Sequence, residues 1–288
     1  MRSGDFHYLL DCGEGTQYSM RELGAKYVNK GLCVLISHMH GDHVLGLPGL
    51  LLSLSLQGRT REVHLLGPRG IGGFVEEVLR RIRAGLTFDV EVREVRDGLE
   101  LEACGARIRA ALGRHGIPSY AYRMEFRRPG KFHPERAREL GVPMGPLWKA
   151  LQGGSPVRVG DRIVRPEDVM DPVEVRVSIA YSGDTRPSRR LLELFRGVDL
   201  LIHEATFSER DRRRALEDMH STAREAGRVA ARAGARYLIL THFSNRYRDL
   251  EVLLNEARRE FPRSYLAREG ATFRLTPEGL FLGDQPLY

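Results

Sequence analysis

Ser37-His38-Met39-His40-Gly41-Asp42-His43 places four side chains able to ligate a metal within six residues. Cys33-Val34-Leu35-Ile36 ahead of it reads as a short buried strand, and Val44 to Leu52 behind it as an apolar helix. The polar residues therefore lie on a turn between two rigid elements, where a site can stay open to solvent. Imidazole nitrogen and carboxylate oxygen are the ordinary ligands of zinc. One tetrahedral ion cannot use all four and still admit a substrate. The pattern thus points to two metals, with further ligands supplied from elsewhere in the chain. A chance polar loop is the competing interpretation, and the density of His-x-His-x-Asp-His weighs against it.

A chain of 288 residues fits one large domain or two small ones. Hydrophobic and charged contents of 42% and 29% are ordinary for a soluble globular protein. Neither an apolar run able to span a bilayer nor a basic-apolar-small leader pattern is visible, so no membrane role and a cytoplasmic location are expected. Cys12, Cys33 and Cys104 lie in apolar, strand-like contexts and read as reduced core thiols. The net charge is +7, and the excess is almost all arginine, because Lys26, Lys30, Lys131 and Lys149 are the only lysines. Arginine's planar fork suits phosphate. A basic chain with a metal site suggests a polyanionic substrate, nucleic acid first, although arginine richness can also reflect genome composition.

Tyr8 to Gly13 reads as a strand ending at a glycine turn, and Glu14-Gly15-Thr16-Gln17 opens a helix to about Leu23. Glu62 to Pro68 is a strand, and Ile71 to Arg83 a helix with an arginine-rich outer face. Thr87 to Val95 alternates, and Asp97-Gly98 then predicts a hairpin turn into strand material from Leu99 to Leu112. Arg127 to Pro172 is rich in Gly and Pro with little periodicity, as in a functional arm or flexible insertion. Beyond it, Val173 to Tyr181, Asp199 to Ala205 and Tyr237 to His242 read as strands. Ser188 caps a helix to Phe195, Thr222 and Glu225 have the spacing of a capping box that starts a helix just after His220, and Leu250 to Phe261 is a helix. Strand after strand ends in a polar residue: Ser37/His38, Asp184, Glu204, His242. This α/β pattern predicts a two-sheet sandwich with helices outside and ligands delivered to one edge.

Together these residues resemble the metallo-β-lactamase superfamily and, within it, the ribonuclease Z family of tRNA 3'-processing endonucleases. His38-Met39-His40-Gly41-Asp42-His43 with Gly46 to Leu51 looks like the signature motif, and Leu10 to Gln17 like the first motif. His115 with Tyr120 to Arg123 is similar to the third. Tyr181 to Pro187, His203-Glu204-Ala205-Thr206-Phe207, His220 to Ala223 and Thr241 to Tyr247 resemble the remainder, and Gly145-Pro146-Leu147-Trp148-Lys149 adds a subfamily signal. The implied fold is an αββα four-layer sandwich of two mixed sheets, a single domain over residues 1–288 with a protruding substrate-binding arm over 127–172. The family begins with one more strand and a loop that helps with substrate phosphate. This chain starts at Met1-Arg2-Ser3-Gly4, so that edge of the first sheet is expected to be missing.

The resemblance further implies one metal on His38, His40 and His115 and a second on Asp42, His43 and His242, bridged by Asp184. Two zinc ions per subunit are implied, although the same donors serve manganese and iron. The implied reaction is metal-activated attack of water on the phosphodiester of precursor tRNA, removing the 3' trailer and leaving a 3'-hydroxyl. Asp42 would accept the water's proton. His220 would donate to the leaving oxygen, with Glu204 fixing its tautomer. Asp11 is expected behind a ligand histidine. On a strand, alternation points either His203 or Glu204 away from the site. Arg186, Arg246 and Lys149 are candidates for substrate phosphate. Lys131, Arg136, Arg138, Trp148, Arg158, Arg162 and Arg165 suit the arm to an RNA backbone, gripped from one subunit of a homodimer to the other. Other hydrolases on this scaffold (a phosphodiesterase, an arylsulfatase-like enzyme or a lactonase) and a non-catalytic RNA-binding relative are the alternatives.

Overall fold

The apolar run ahead of the histidines, Gly31–Leu35, is a strand buried at every position. Such a strand must lie inside a sheet covered on both faces. The computed structural model, which describes residues 1–24, 28–283 and 285–287, sets it third in a five-stranded sheet. The order is β1 (Arg2–Ser3), β2 (Phe6–Leu10), β3 (Gly31–Leu35), β4 (Val63–Gly67) and β5 (Val90–Glu94). β1 pairs antiparallel with β2, and β2 to β5 run parallel. Parallel pairing needs crossovers, which carry α1 (Thr16–Glu22), α2 (Gly41–Val44), α3 (Gly46–Leu56) and α4 (Ile71–Arg81). Leu47, Leu50, Leu51 and Leu54 of α3 and Ile71 and Val75 of α4 form one core with Leu32, Val34, Val63 and Leu65. Each fully buried leucine contributes about 1.5–3 kcal/mol, so this layer fixes α3, and with it the turn that carries the histidines.

The second sheet starts with β6 (Glu100–Ala103), β7 (Ala106–Leu112) and β8 (Tyr120–Arg128), paired antiparallel in sequence. Asp97-Gly98 is not the hairpin turn that its sequence predicts. β5 pairs with β4 and β6 with β7, so this turn carries the chain from one sheet to the other. The hairpin lies instead at Cys104-Gly105, where both residues have positive φ (56° and 76°), as a two-residue I′ loop requires. A cysteine is not among the residues that advertise such a turn.

Phe126–Arg176 is a compact unit of its own. It holds α5 (Pro134–Glu139), α6 (Pro146–Gln152), the hairpin β9 (Val157–Val159) and β10 (Arg162–Val164), and α7 (Pro166–Val169). Ala137, Val142, Leu151, Val157, Val164 and Val169 make a small core, with Phe132 and Trp148 against it. The segment is thus folded, and its many Gly and Pro residues terminate short elements. The chain enters and leaves it side by side: His133 N donates to Val169 O at 2.7 Å and Asp171 N to Lys131 O at 2.9 Å.

The other unit, Met1–Glu125 with Val177–Tyr288, continues with β11 (Glu174–Tyr181), β12 (Leu200–Glu204), β13 (Tyr237–Thr241) and β14 (Ser264–Leu266), which run parallel and complete the seven-stranded order β14-β13-β12-β11-β8-β7-β6. Between them run α8 (Arg189–Phe195), α9 (Arg212–Glu217), α10 (Ala223–Ala233) and α11 (Glu251–Glu260). Leu191, Phe195, Val229, Ala230, Leu253 and Ala257 pack on Leu201, Leu238 and Leu240. A three-stranded antiparallel sheet, β15 (Phe273–Leu275), β16 (Leu280–Leu282) and β17 (Gln285–Leu287), follows. Helices thus cover the outer face of each sheet, the αββα arrangement. Buried tyrosines bond across the two sheets: Tyr122 Oη donates to Ile36 O at 2.7 Å, Tyr181 Oη to Asp11 Oδ2 at 2.6 Å, and Tyr8 Oη to Cys104 O.

Two glycines let the turn after β2 lie on the α2–α3 junction. Cys12 N donates to His43 O at 2.8 Å and Gly46 N to Cys12 O at 2.9 Å. A Cβ on Gly13 would stand 2.2 Å from Asp42 O, and one on Gly46 1.8 Å from Gly13 O. Both obstacles are backbone and cannot swing aside. Gly46→Ala is therefore expected to destabilise the fold by about 3 kcal/mol. Gly73→Ala, on the exposed face of α4, meets nothing within 4 Å among the described residues and should be neutral or gain up to about 1 kcal/mol. Denaturant midpoints test this, and equal midpoints for the two variants would contradict it.

Candidate metal centre

The C-terminal ends of the parallel strands bring the polar residues together, as open α/β sheets do. Asp11 follows β2, Ser37 to His43 follow β3, Asp184 follows β11, Glu204 ends β12 and His242 follows β13. The β7–β8 loop adds His115, and the approach to α10 adds His220. Asp11 and His242 both take φ of 57°, a conformation unusual outside glycine that turns each side chain into the site.

Ring nitrogens converge. His38 Nε2 and His115 Nε2 lie 3.0 and 3.2 Å from His40 Nδ1. His43 Nε2 lies 3.3 Å from His242 Nε2. Asp184 Oδ2 is 3.2 Å from both His43 Nε2 and His242 Nε2 and 3.7 Å from His38 Nε2. Asp42 Oδ2 is 3.5 Å from His43 Nε2 and His242 Nε2. Three of the groupings able to hold a metal are His38 with His40 and His115; Asp42 with His43 and His242; and His38 with His43 and Asp184.

Hydrogen counting shows which nitrogen each histidine offers. Ser37 Oγ gives its proton to Asp11 Oδ2, so it accepts from His38 Nδ1 and leaves His38 Nε2 as the lone pair. Thr206 Oγ1 gives its proton to Glu204 Oε2, accepts from His242 Nδ1 at 2.8 Å, and so frees His242 Nε2. His43 Nδ1 is held by Asp11 Oδ2 at 2.7 Å and His115 Nδ1 by Met219 O at 3.2 Å. Histidines that ligate metals are oriented in this way, through the nitrogen facing away from the ion.

Burial, with the neighbouring His43 charge, pushes His38 down to about 3, so its ring is neutral and ready to ligate. Burial also opposes charge on His43, but hydrogen bonds to Asp11 and Asp184 outweigh it and raise the ring to about 10. Asp184 falls well below the usual carboxylate range despite burial, because His43 and His242 face it. The His242 ring that faces it at 3.5 Å lowers Asp42 to about 2. A proton on His43 thus supplies positive charge where two buried carboxylates need it. A cation can take that place, and Asp184 Oδ1, buried with no hydrogen-bond partner among the described residues, offers a further lone pair. The donor set fits metal.

His220 stands beside this cluster. Its Nδ1 is 3.1 Å from Glu204 Oε1 and 3.9 Å from Asp184 Oδ2. Burial opposes its charge, yet Glu204 and Asp184 raise its pKa above the ordinary value. Glu204 is itself held by Thr185 N at 2.8 Å and Thr206 Oγ1 at 2.7 Å. His203, its strand neighbour, turns away into the interior, with Nδ1 on Glu204 O.

Arg186 departs from its expected place as a phosphate contact. It is 9% exposed, and its guanidinium is taken up by Glu225 and by the carbonyl of His220. Arg246 is partly exposed near the site: its guanidinium lies 5.2 Å over the Phe207 ring, which in turn meets His220 edge-on. Lys149 is exposed on α6 of the other unit. Trp148 is not free to stack on a base: its ring packs on Phe132 and its Nε1 donates to Val142 O at 2.9 Å. Sequence reasoning missed Ser37, Thr206 and Tyr181 as holding groups. Thr206 could have been found, two residues beyond Glu204 on the same side of an extended chain.

Residues 169–243, which carry Asp184, Glu204, His220 and His242, match the beta-lactamase superfamily domain, and residues 1–83 match the family of the Anti-Pycsar protein Apyc1. A ribonuclease Z of Methanothermobacter thermautotrophicus is 42% identical over 255 residues, covering 88% of this chain and 83% of its own. One from Methanosarcina acetivorans is 40% identical over 263 residues, covering 91% and 86%. Among solved structures, human tRNase Z, short form, aligns at a TM-score of 0.64 with 24% identity, over 93% of this chain and 88% of its own. The Bacillus subtilis metallo-beta-lactamase fold protein YhfI reaches 0.64 at 20% identity, over the same shares.

Proposed function

This chain belongs to the ribonuclease Z family, and from that premise we propose that it cuts the 3' trailer from precursor tRNA in the cytoplasm, leaving a 3'-hydroxyl on the tRNA. The main support from the site is that two sets of donor nitrogens converge on Asp184 beside a histidine whose outer nitrogen is held by a buried carboxylate.

In this proposal His38, His40 and His115 would hold one zinc ion and Asp42, His43 and His242 a second, with Asp184 a ligand available to both. Bound metals would make water a stronger acid and stabilise charge on the attacking and leaving oxygens. Asp42, whose side chain is 64% exposed, is the acceptor of the attacking water's proton in this reading. His220 gives its Nε2 proton to the leaving 3'-oxygen, since Nδ1 is committed to Glu204. Glu204 and Asp184 raise its pKa above the ordinary value, which favours the protonated ring. His220→Ala is expected to keep its metal and lose about 10²–10⁴-fold in turnover, whereas Asp184→Ala should lose metal as well. Metal analysis alongside precursor-tRNA cleavage, with and without chelator, checks both; near-normal turnover by His220→Ala would refute its role.

Phe126–Arg176 is the proposed RNA grip, with Lys131, Arg136, Lys149, Arg158, Arg162 and Arg165 as its backbone contacts. Because its two ends lie side by side, a short Gly-Ser linker can replace residues 131–171. The shortened chain should hydrolyse bis(p-nitrophenyl) phosphate within about threefold of wild type and lose at least about tenfold on precursor tRNA. Equal losses would argue against a grip.

A homodimer completes the proposal. Tyr18 on α1, Leu56 on α3 and the residues Leu23 and Leu45 that flank these neighbouring helices are more than half exposed, Leu56 at 89%. These side chains are the proposed interface, since contiguous exposed apolar patches mark contact sites. Leu56→Glu is expected to yield monomers by light scattering at concentrations where the unaltered chain is a dimer, and an unchanged mass would exclude this face.

A further inference from the structure

The groups that hold the backbone of His220 are distinct from those that hold its ring. Met219, just before it, has φ of 61°, and Thr222, two residues after it, is the N-cap of α10. The His220 carbonyl accepts a hydrogen bond from Arg186 Nη1 at 2.6 Å. The same nitrogen donates to Glu225 Oε2 at 2.6 Å, and Nη2 donates to Glu225 Oε1. Glu225 Oε2 also accepts from Thr222 N at 2.9 Å, closing the capping box. Arg186 and Glu225 are 9% and 8% exposed. A buried ion pair is a costly way to end a helix, since Thr222 with a solvated glutamate would cap it as well. What arginine adds is a rigid fork that grips a carboxylate with two N–H groups and keeps another for a carbonyl, which lysine cannot match.

The segment that carries Arg186 touches the rest of the site. Arg186 N donates to Arg114 O, beside His115, at 2.8 Å, and Thr185 N donates to Glu204 Oε1 at 2.8 Å. Ser221 Oγ donates to Thr185 O at 2.6 Å. Asp184, Glu204, His115 and His220 are thereby referred to one stretch of backbone.

We propose that Arg186, paired with Glu225, is a positioning residue that fixes His220 relative to Asp184 and contacts no substrate, a role that rests on His220 being the proton donor. Misplacing a proton donor by about 1 Å costs on the order of 100-fold, and the loss falls only on reactions whose leaving group needs the proton. The double variant Arg186→Met/Glu225→Leu removes both buried charges and leaves no orphan carboxylate, while Arg186→Lys keeps the charge without the fork. Each is compared with the unaltered enzyme and with His220→Ala, alone and combined, on precursor tRNA and on bis(p-nitrophenyl) phosphate, whose phenolate leaves unprotonated.

The double variant should lose about 10–100-fold in kcat on precursor tRNA with KM within about twofold. Metal content and ester hydrolysis should hold, Arg186→Lys should lose less, and the double variant should have no further effect in the His220→Ala background. A raised KM, with losses that add to those of His220→Ala, would make Arg186 a phosphate contact and overturn the proposal. Equal losses on both substrates would overturn it in favour of a purely structural pair. An intact His220→Ala rate sinks the proton-donor role itself. A large loss in His220→Ala with none in the Arg186 variants sinks the positioning role alone.

Discussion

Asp11 accepts hydrogen bonds from Ser37 N at 2.6 Å, Ser37 Oγ at 2.8 Å, His43 Nδ1 at 2.7 Å and Tyr181 Oη at 2.6 Å. These donors come from the end of β3, from α2 and from β11 in the opposite sheet. One carboxylate thus fixes the start of the histidine turn, the tautomer of its last histidine and the spacing of the two sheets beneath it. A buried carboxylate is costly unless each lone pair is met, and here four donors meet them. The positive φ of Asp11 and the bare Cα atoms of Gly13 and Gly46 let the chain come close enough for this. Much of the first motif is explained by that one docking.

Charge follows from the same arrangement. Asp184 lies in a ring of imidazoles, and Asp11 and Asp184 raise His43 well above the ordinary histidine range. A site that binds a cation tightly must be electrostatically unbalanced without one, and must supply neutral ligands where the ion sits. His38, driven down by burial, meets the second need, and the Asp11–His43–Asp184 line the first.

The sequence is legible wherever a local pattern carries the information. His38 to His43, the polar ends of β11, β12 and β13, the Ser188 cap and the Thr222–Glu225 capping box all lie within a few residues of the element that they mark. Legibility fails where the partner is distant. Asp97-Gly98 has the composition of a hairpin, but whether β5 pairs with β6 depends on β4 and β7 competing for their edges. The Gly- and Pro-rich stretch hides six small buried residues whose spacing follows no single period, because its elements are too short to show one. Arg186, two residues from Asp184, reads as a phosphate contact until Glu225, 39 residues on, is seen beneath it.

Glu204 links the two halves of the proposed chemistry in a way that its neighbours do not. Oε1 holds His220 Nδ1 and Thr185 N, whereas Oε2 takes the proton of Thr206 Oγ1. That last bond is what makes Thr206 an acceptor for His242 Nδ1, and so presents the Nε2 lone pair of His242 to the metal side. The same carboxylate therefore sets the orientation of the proposed proton donor and the tautomer of a proposed ligand. Were Glu204 neutral or absent, Thr206 would be free to donate to His242, and the lone pair would move to the wrong nitrogen. On this proposal metal holding and proton donation are separable at His220, which serves only as donor, and inseparable at Glu204. This coupling gives a physical reason for a glutamate with both oxygens engaged: one shared anion keeps two imidazoles of unlike duty in compatible protonation states.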